Sequence, residues 1–184
     1  MQLNKDVFNS FPVLKTHRLT LREITEKDAE SIFKMRRNEN VNRFIARPPI
    51  GDFKNAKALA KKTQKAFYNQ QAIGFAGVLR DKDEIIGTCG FNRIDYNNLR
   101  AEIGGEMDPK YWGKGIAEEA VREIIRFGFE ALKLVAIEAW VSPNNRGAMY
   151  ILSQLGFEKE AHFKDYVYFN NEFKDMAVMV CHNG

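Results

Sequence analysis

Cysteine and histidine are scarce in this chain: 184 residues hold two of the first and three of the second. Cys89 and Cys181 are isolated from each other, which argues against a disulfide framework or a thiolate zinc site. His17, His162 and His182 share no ligand spacing with one another or with the cysteines, so no metal is expected. Cys89 lies in a strand-like stretch and reads as a small buried thiol; with no histidine beside it in sequence it is a poor nucleophile candidate. No run approaches the roughly 18 apolar residues of a membrane span. Residues 1–12 lack the apolar centre of a signal peptide, and the expectation is a cytoplasmic protein with no membrane partner. Internal repeats, low-complexity tracts and Pro/Gly/Ser linkers are also missing, so residues 1–184 should form one domain. Charge of one sign is in only mild excess, at +4, which is compatible with an anionic ligand and diagnostic of none. Lys57, Lys61 and Lys65 recur at helical spacing and read as a solvated helix face; direct nucleic-acid binding is not expected.

What is present is an ordinary globular composition, 45% hydrophobic and 28% charged, with 12% aromatic residues to fill a core. Alternation predicts a first strand over 19–22. Thr25 is placed to cap a helix that carries Ala29, Ile32, Phe33 and Met35 on its apolar side. Pro48, Pro49 and Gly51 make 38–51 a loop, and a second helix follows over 53–69, burying Leu59, Ala66 and Phe67. Strands are predicted over 72–79 and 84–92, joined by a charged turn at 81–83, and over 101–107, where Gly104-Gly105 weakens the preference. The strongest helical period runs over 115–132; a strand at 134–141, a helix at 145–155 and a hairpin turning at Asn170-Asn171 complete the chain. The order β, α, α, β, β, β, α, β, α, β, β defines a mixed α/β fold with an antiparallel half and a parallel crossover near the middle.

The chemistry concentrates in Trp112-Gly113-Lys114-Gly115-Ile116-Ala117, where a strand runs through a glycine-rich turn into the best helix. Glycine lets the backbone approach a ligand without a Cβ in the way. The helix start offers unpaired N–H groups and a positive dipole end, a combination suited to a phosphate or pyrophosphate. A Walker A loop would need Ser or Thr after Lys114, where Gly115 stands, and a dinucleotide fingerprint from Gly113 would need a small residue at Glu118.

This segment resembles the coenzyme A pyrophosphate loop of the GNAT superfamily, Arg/Gln-x-x-Gly-x-Gly/Ala, with Trp112 in the Arg/Gln position, Gly115 as the glycine and Ala117 as the small residue. Tyr111-Trp112-Gly113-Lys114-Gly115 is the form typical of the ribosomal-protein N-acetyltransferase (RimJ/RimL-like) branch. Thr16 to Arg22, Ala101-Glu102-Ile103-Gly104, Val141 to Asn145 with Leu155-Gly156-Phe157, and Asp165 to Tyr168 resemble further motifs of that branch in order.

The resemblance implies a central, mostly antiparallel sheet of about seven strands, splayed between strands 4 and 5 and flanked by about four helices. It implies acetyl-CoA as cofactor, with backbone groups of Met107 meeting the pantetheine arm and N–H groups of Gly113, Lys114, Gly115, Ile116 and Ala117 holding the pyrophosphate beside Trp112. The Lys114 side chain either adds charge or turns to water. Glu102 stands near the family's general-base position, with Glu106 second on the same strand face; pairing with an arginine is the alternative role for Glu102. Asn145 matches the cofactor-binding asparagine and also stands where a helix cap is needed. The family's serine three residues on is Ala148, and the tyrosine that protonates the leaving thiolate in some branches is Leu152, which leaves water, Tyr166 or Tyr168 for that task. The acceptor is an amine: a protein N-terminus in the leading reading, a small molecule in the rival one, with a non-catalytic coenzyme A-binding protein as a third. A monomer and a homodimer both fit. Arg36, Arg37, Arg43 and Arg47 are read as available to an acidic substrate segment.

Overall fold

The computed structural model describes residues 1–82 and 84–184. Eight strands form one sheet in the order β1-β2-β3-β4-β5-β6-β8-β7. In chain order they are β1 (Leu14–Lys15), β2 (Leu19–Glu23), β3 (Ile73–Leu79), β4 (Ile85–Asp95), β5 (Arg100–Met107), β6 (Ala136–Val141), β7 (Glu158–Phe169) and β8 (Glu172–His182). Five α-helices accompany them among the described residues: α1 (Ala29–Arg37), α2 (Glu39–Asn42), α3 (Phe53–Tyr68), α4 (Ile116–Glu130) and α5 (Arg146–Gln154). The mixed α/β architecture matches the expectation, with two short additions. β1 is only two residues long, and α2 is a single turn inside the expected loop, started by Asn38, whose side chain accepts from the Asn40 N–H at 2.9 Å. Thr25 opens a 3₁₀ turn (Glu26–Asp28) that leads into α1. The expected turn at 81–83 includes Asp83, which lies outside the described residues.

Alternation explains the two faces of the sheet. Ile73 and Phe75 of β3, Phe91 of β4, Ile103 of β5 and Ile137 of β6 join Ile116, Ala120, Ile124 and Phe127 of α4 in the main core. Phe75 meets Phe127 edge-on at 6.0 Å between centroids. Burying each such side chain contributes about 1.5–3 kcal/mol against exposure. The opposite face of β3 presents Ala76 and Val78 to Ala56 and Ala60 of α3 and Ile32 of α1. The buried stripe of α3 is thus Ala56, Ala60 and Phe67, with Leu59 and Ala66 at its margin, while Lys57, Lys61 and Lys65 lie exposed.

Gly104-Gly105 does not break β5, because a Cβ on Gly105 would stand 2.8 Å from the Thr88 carbonyl oxygen and 2.9 Å from Cys89 Cβ. The close approach of β4 requires glycine there. The pairing of β5 with β6 is the one parallel contact among the described residues. It runs Arg100↔Ala136, Ala101↔Ile137, Glu102↔Glu138 and stops, although both strands continue. β6 stays with β8 as far as Val141↔Ala177, and β5 stays with β4 as far as Gly87↔Met107. The sheet therefore opens into a V beyond Glu102 and Glu138. This is the expected splay between the fourth and fifth strands, displaced by one in number because β1 precedes them.

Candidate active site

The V opens beside the glycine-rich loop. After β5, Asp108 accepts from the Lys110 N–H at 2.9 Å and starts a 3₁₀ turn (Pro109–Tyr111). Gly113 and Gly115 both take φ of +69°, a left-handed conformation that a residue with a Cβ adopts only with strain. Gly115 is the N-cap of α4, and no side chain caps that helix start. Its first-turn N–H groups, at Ile116 and Ala117, are consequently left to a ligand. Ile116 turns its side chain into the core, so only its backbone serves the loop. A Cβ placed on Gly113 would meet nothing within 4 Å, so the outer side of the loop is open. An unstrapped helix N-terminus behind an open glycine turn fits a pyrophosphate.

The other expected cofactor residues are placed as follows. Trp112 donates its indole N–H to the Met107 carbonyl at 2.9 Å, joining loop and strand end. Lys114 turns back on its own loop: its ammonium donates to the Lys110 carbonyl at 2.9 Å and lies 5.7 Å from the Tyr111 ring centroid. Asn145 caps α5, its side-chain oxygen accepting from the Ala148 N–H at 3.1 Å. Leu152 is buried in the core and Tyr150 is exposed, in keeping with their separation around the helix.

Glu102, Gly104 and Glu106 share the face of β5 that turns away from α4. Glu102 is the last residue paired with β6 before the strands part, so it sits at the throat of the V. Its side chain is 28% exposed, and Arg93 approaches the carboxylate only at 3.8 Å from a largely exposed position. Glu106 is different. Its side chain is 3% exposed, Arg36 Nε donates to one oxygen at 2.6 Å, and Arg47 Nη2 donates to the other. Both carboxylate oxygens are therefore engaged in charge-assisted bonds. Arg47 also bonds the Asn42 side-chain oxygen, at 3.1 and 3.2 Å.

The same sheet face continues over β6. Register pairs Glu102 with Glu138, and Trp140 follows two residues on. The Trp140 ring stacks on Phe163 at 5.7 Å and on Tyr166 at 5.5 Å, with both partners on β7. Sequence patterning missed this aromatic wall, since Trp140 and the hairpin meet only through sheet order. It also missed the Arg36–Glu106–Arg47 cluster, whose members are 70 and 59 positions apart. Two of the four arginines read as free for an acidic substrate are thus held by the protein's own carboxylate. Arg37 and Arg43 lie over the Phe33 and Phe44 rings, each 5.3 Å from the centroid.

Cys89 packs against the core, and burial pushes its thiol up to about 12, so a thiolate nucleophile is not available near neutral pH. Among the described residues no group of His, Cys, Asp and Glu could hold a metal, and no helix is long and apolar enough to cross a membrane. Two surface concavities of about 590 and 510 Å³ surround Tyr96, at the end of β4 and β5 remote from the loop. Both lie away from the glycine-rich loop, and the second reaches Arg93, the arginine that approaches Glu102.

A splayed sheet, a glycine loop on a helix N-terminus and a carboxylate at the throat are an arrangement that could hold an acyl-carrying cofactor and a base for acyl transfer. Comparison with known proteins gives the family. Residues 18–158 match the model of the acetyltransferase (GNAT) domain, and the chain belongs to that family. It is an N-acetyltransferase. It is 39% identical over 153 residues to the uncharacterised N-acetyltransferase p20 of Bacillus licheniformis, covering 83% of this chain and 86% of that relative. At 27% identity over 170 residues, 88% of this chain and 86% of the other, it is similar to the [ribosomal protein uS5]-alanine N-acetyltransferase of Escherichia coli. The spermidine N(1)-acetyltransferase of the same organism is similar at 26% over 165 residues, 90% of this chain and 86% of the other. Among solved structures, the ribosomal-protein-S5-alanine acetyltransferase of Vibrio fischeri superposes with a TM-score of 0.81 at 25% identity, covering 94% and 97% of the two chains.

Proposed function

We propose that this enzyme transfers acetyl from acetyl-CoA to the α-amine of a protein or peptide, by direct attack of the neutral amine with Glu102 as general base. The observation that carries the reading is the parting of β5 and β6 immediately beyond Glu102, beside a helix start with no side-chain cap. Acetyl-CoA supplies the acetyl thioester. Backbone N–H groups from Gly113 to Ala117 hold its pyrophosphate, Met107 and the freed edge of β5 meet the pantetheine arm as an added strand would, and Asn145 offers its amide nitrogen. Trp112 fixes the angle between strand end and loop.

Glu102 takes a proton from the incoming ammonium, directly or through one water, because a protonated amine has no lone pair to offer. Glu106 is the second base candidate on the same face, but with both oxygens engaged it is better suited to holding Arg36 and Arg47 in place. Water, Tyr166 or Tyr168 serves the departing thiolate.

The charge pattern favours a peptide over a polyamine. A polyamine carries several positive charges and needs uncompensated acidic lining. Here Glu102, Glu106 and Glu138 face Arg93, Arg36 with Arg47, and Arg100. The Trp140–Phe163–Tyr166 wall is an apolar surface against which a residue following the reacting N-terminus can lie. Cytoplasmic residence accords with two free, isolated cysteines.

Two measurements test the reading. Thermal unfolding with acetyl-CoA, CoA, ATP and NAD in parallel should shift with the first two alone. At about 100 times the dissociation constant the gain is roughly 2.7 kcal/mol, or about 5–10 °C for a chain of this size. Thiol release should then be faster with short peptides bearing free N-termini than with spermidine, by at least about 100-fold in kcat/KM. Preference for spermidine would overturn the acceptor assignment, and no shift with either coenzyme would overturn the cofactor.

A further inference from the structure

We infer that Arg18 is a positioning residue for the pyrophosphate loop, acting as a latch between β2, the loop and the first turn of α4. The inference rests on the proposed use of acetyl-CoA and names what keeps that site in its binding form. Arg18 stands immediately before β2, and its own carbonyl is pinned by the Arg80 N–H at 3.0 Å. Its Nη1 donates to the Lys114 carbonyl at 2.7 Å, and its Nε donates to Glu119 Oε2 at 2.6 Å. The other Glu119 oxygen accepts from the Arg18 backbone N–H at 2.7 Å and from the Thr16 hydroxyl. One guanidinium thus joins a loop carbonyl to a carboxylate on α4.

The loop needs such a tie. Lys114 lies between two glycines that both adopt φ of +69°, and glycine crosses between backbone regions with little steric penalty. The peptide unit joining Lys114 to Gly115 is free to rotate unless something holds it. A trans peptide is planar, so its C=O and N–H point in opposite directions. Bonding the Lys114 carbonyl to Arg18 therefore directs the Gly115 N–H away from Arg18, on the side left for an anion. A flipped peptide would present a carbonyl oxygen to the pyrophosphate instead.

Charge adds to geometry. Glu118 and Glu119 both lie in the first turn of α4, where a carboxylate repels an incoming phosphate. Arg122 pairs with Glu118 at 2.7 Å and Arg18 pairs with Glu119. Burial works against the ionised form of Glu119, but hydrogen bonds from Thr16 and from the Arg18 backbone and guanidinium outweigh it and hold the carboxyl below its ordinary range. Without the Arg18 guanidinium that carboxylate would keep the Thr16 hydroxyl and the backbone N–H but lose its counter-charge beside the loop.

The experiment compares acetyl-CoA with S-acetylpantetheine, which has the thioester and arm but no pyrophosphate. Arg18→Gln should lower the ratio of kcat/KM for acetyl-CoA to that for S-acetylpantetheine by about tenfold or more, with the loss in KM for acetyl-CoA rather than in kcat. Arg18→Lys, which keeps one charge but cannot serve the carbonyl and the carboxylate together, should fall between. Arg18→Lys also serves as the test if Arg18→Gln does not fold. A ratio within twofold of wild type in folded variants overturns the latch, as does an equal loss on both substrates, which marks a general packing role. Failure of the wild-type protein itself to bind coenzyme A would instead overturn the proposed function.

Discussion

Trp112 donates its indole N–H to the carbonyl of Met107 at 2.9 Å, so the last residue of β5 and the residue opening the glycine turn are held together by a side chain. In the GNAT pattern that Trp112 resembles, this position carries Arg or Gln. Here the tie sets the direction in which the chain leaves the sheet, and with it the placement of α4's N–H groups relative to the V. Trp112→Phe keeps a ring and deletes the donor. A neutral hydrogen bond contributes about 1 kcal/mol, so acetyl-CoA KM should rise by up to about fivefold with kcat little changed. Initial rates against acetyl-CoA concentration measure this, and an unchanged KM would separate the tie from cofactor binding.

The loop was legible in the sequence because its requirements are local: glycines at two positions and a strongly periodic helix directly after them. The strands were legible for the same reason, down to the Asn170-Asn171 turn, where both residues take positive φ. Local pattern has little to say about elements too short for periodicity, which is why β1 and α2 were not anticipated. It says less about partners distant in sequence. Arg36 and Arg47 look like free surface cations until β5 brings Glu106 between them. Arg18 sits in a motif that resembles the family's, yet its bond to the Lys114 carbonyl follows only from β2 lying against the start of α4. Glu102 could be assigned to a strand face by alternation, but its place at the throat depends on where the β5–β6 pairing ends.

Glu106→Gln tests the cluster on the acceptor face. The substitution preserves shape and removes the negative charge that pairs with both Arg36 and Arg47. Removing one partner of a buried ion pair costs several kcal/mol, and less where the other partners reach solvent, as both arginines do. About 2 kcal/mol is expected, seen as a fall in Tm of about 4–8 °C. Replacing Arg36 by Gln in the same background should recover part of the loss, since it relieves the remaining repulsion. A Tm within a degree of wild type for Glu106→Gln would mean that the cluster does not support the fold.

Acid stability should carry the mark of Asp28. Its burial works against ionisation, but bonds from Arg22 at 2.8 and 2.9 Å and from the Thr25 N–H at 2.8 Å prevail, and its carboxyl is held below the usual carboxylate range. A folded-state value below the unfolded one contributes stability above about pH 4, which is lost as pH falls through the folded value. Asp28→Asn should therefore lower Tm at neutral pH and flatten its decline between about pH 5 and pH 3. Thermal melts across that range decide it; parallel curves for the two proteins would remove Asp28 from the acid transition.

Glu102 gives the most direct test of the chemistry. Glu102→Gln keeps the side chain's size and its place at the end of the β5–β6 pairing while removing its capacity to take a proton. General-base removal typically costs 10²–10⁴ in rate, and about 100-fold in kcat is expected near pH 7. An α-amine has a pKa near 8, so at neutral pH most of the acceptor arrives protonated and the base is needed before attack. Toward pH 9 the free amine becomes abundant and the defect should narrow. It should not vanish, because the attacking nitrogen must still lose a proton in becoming an amide. Acetyl-CoA KM should stay at the wild-type value, since Glu102 faces the throat and makes no bond to the loop. Full pH–rate profiles for both proteins with one peptide acceptor provide the measurement. A defect that is constant across pH would point to a positional role for Glu102, and wild-type rates throughout would pass the base to Glu106 or to water.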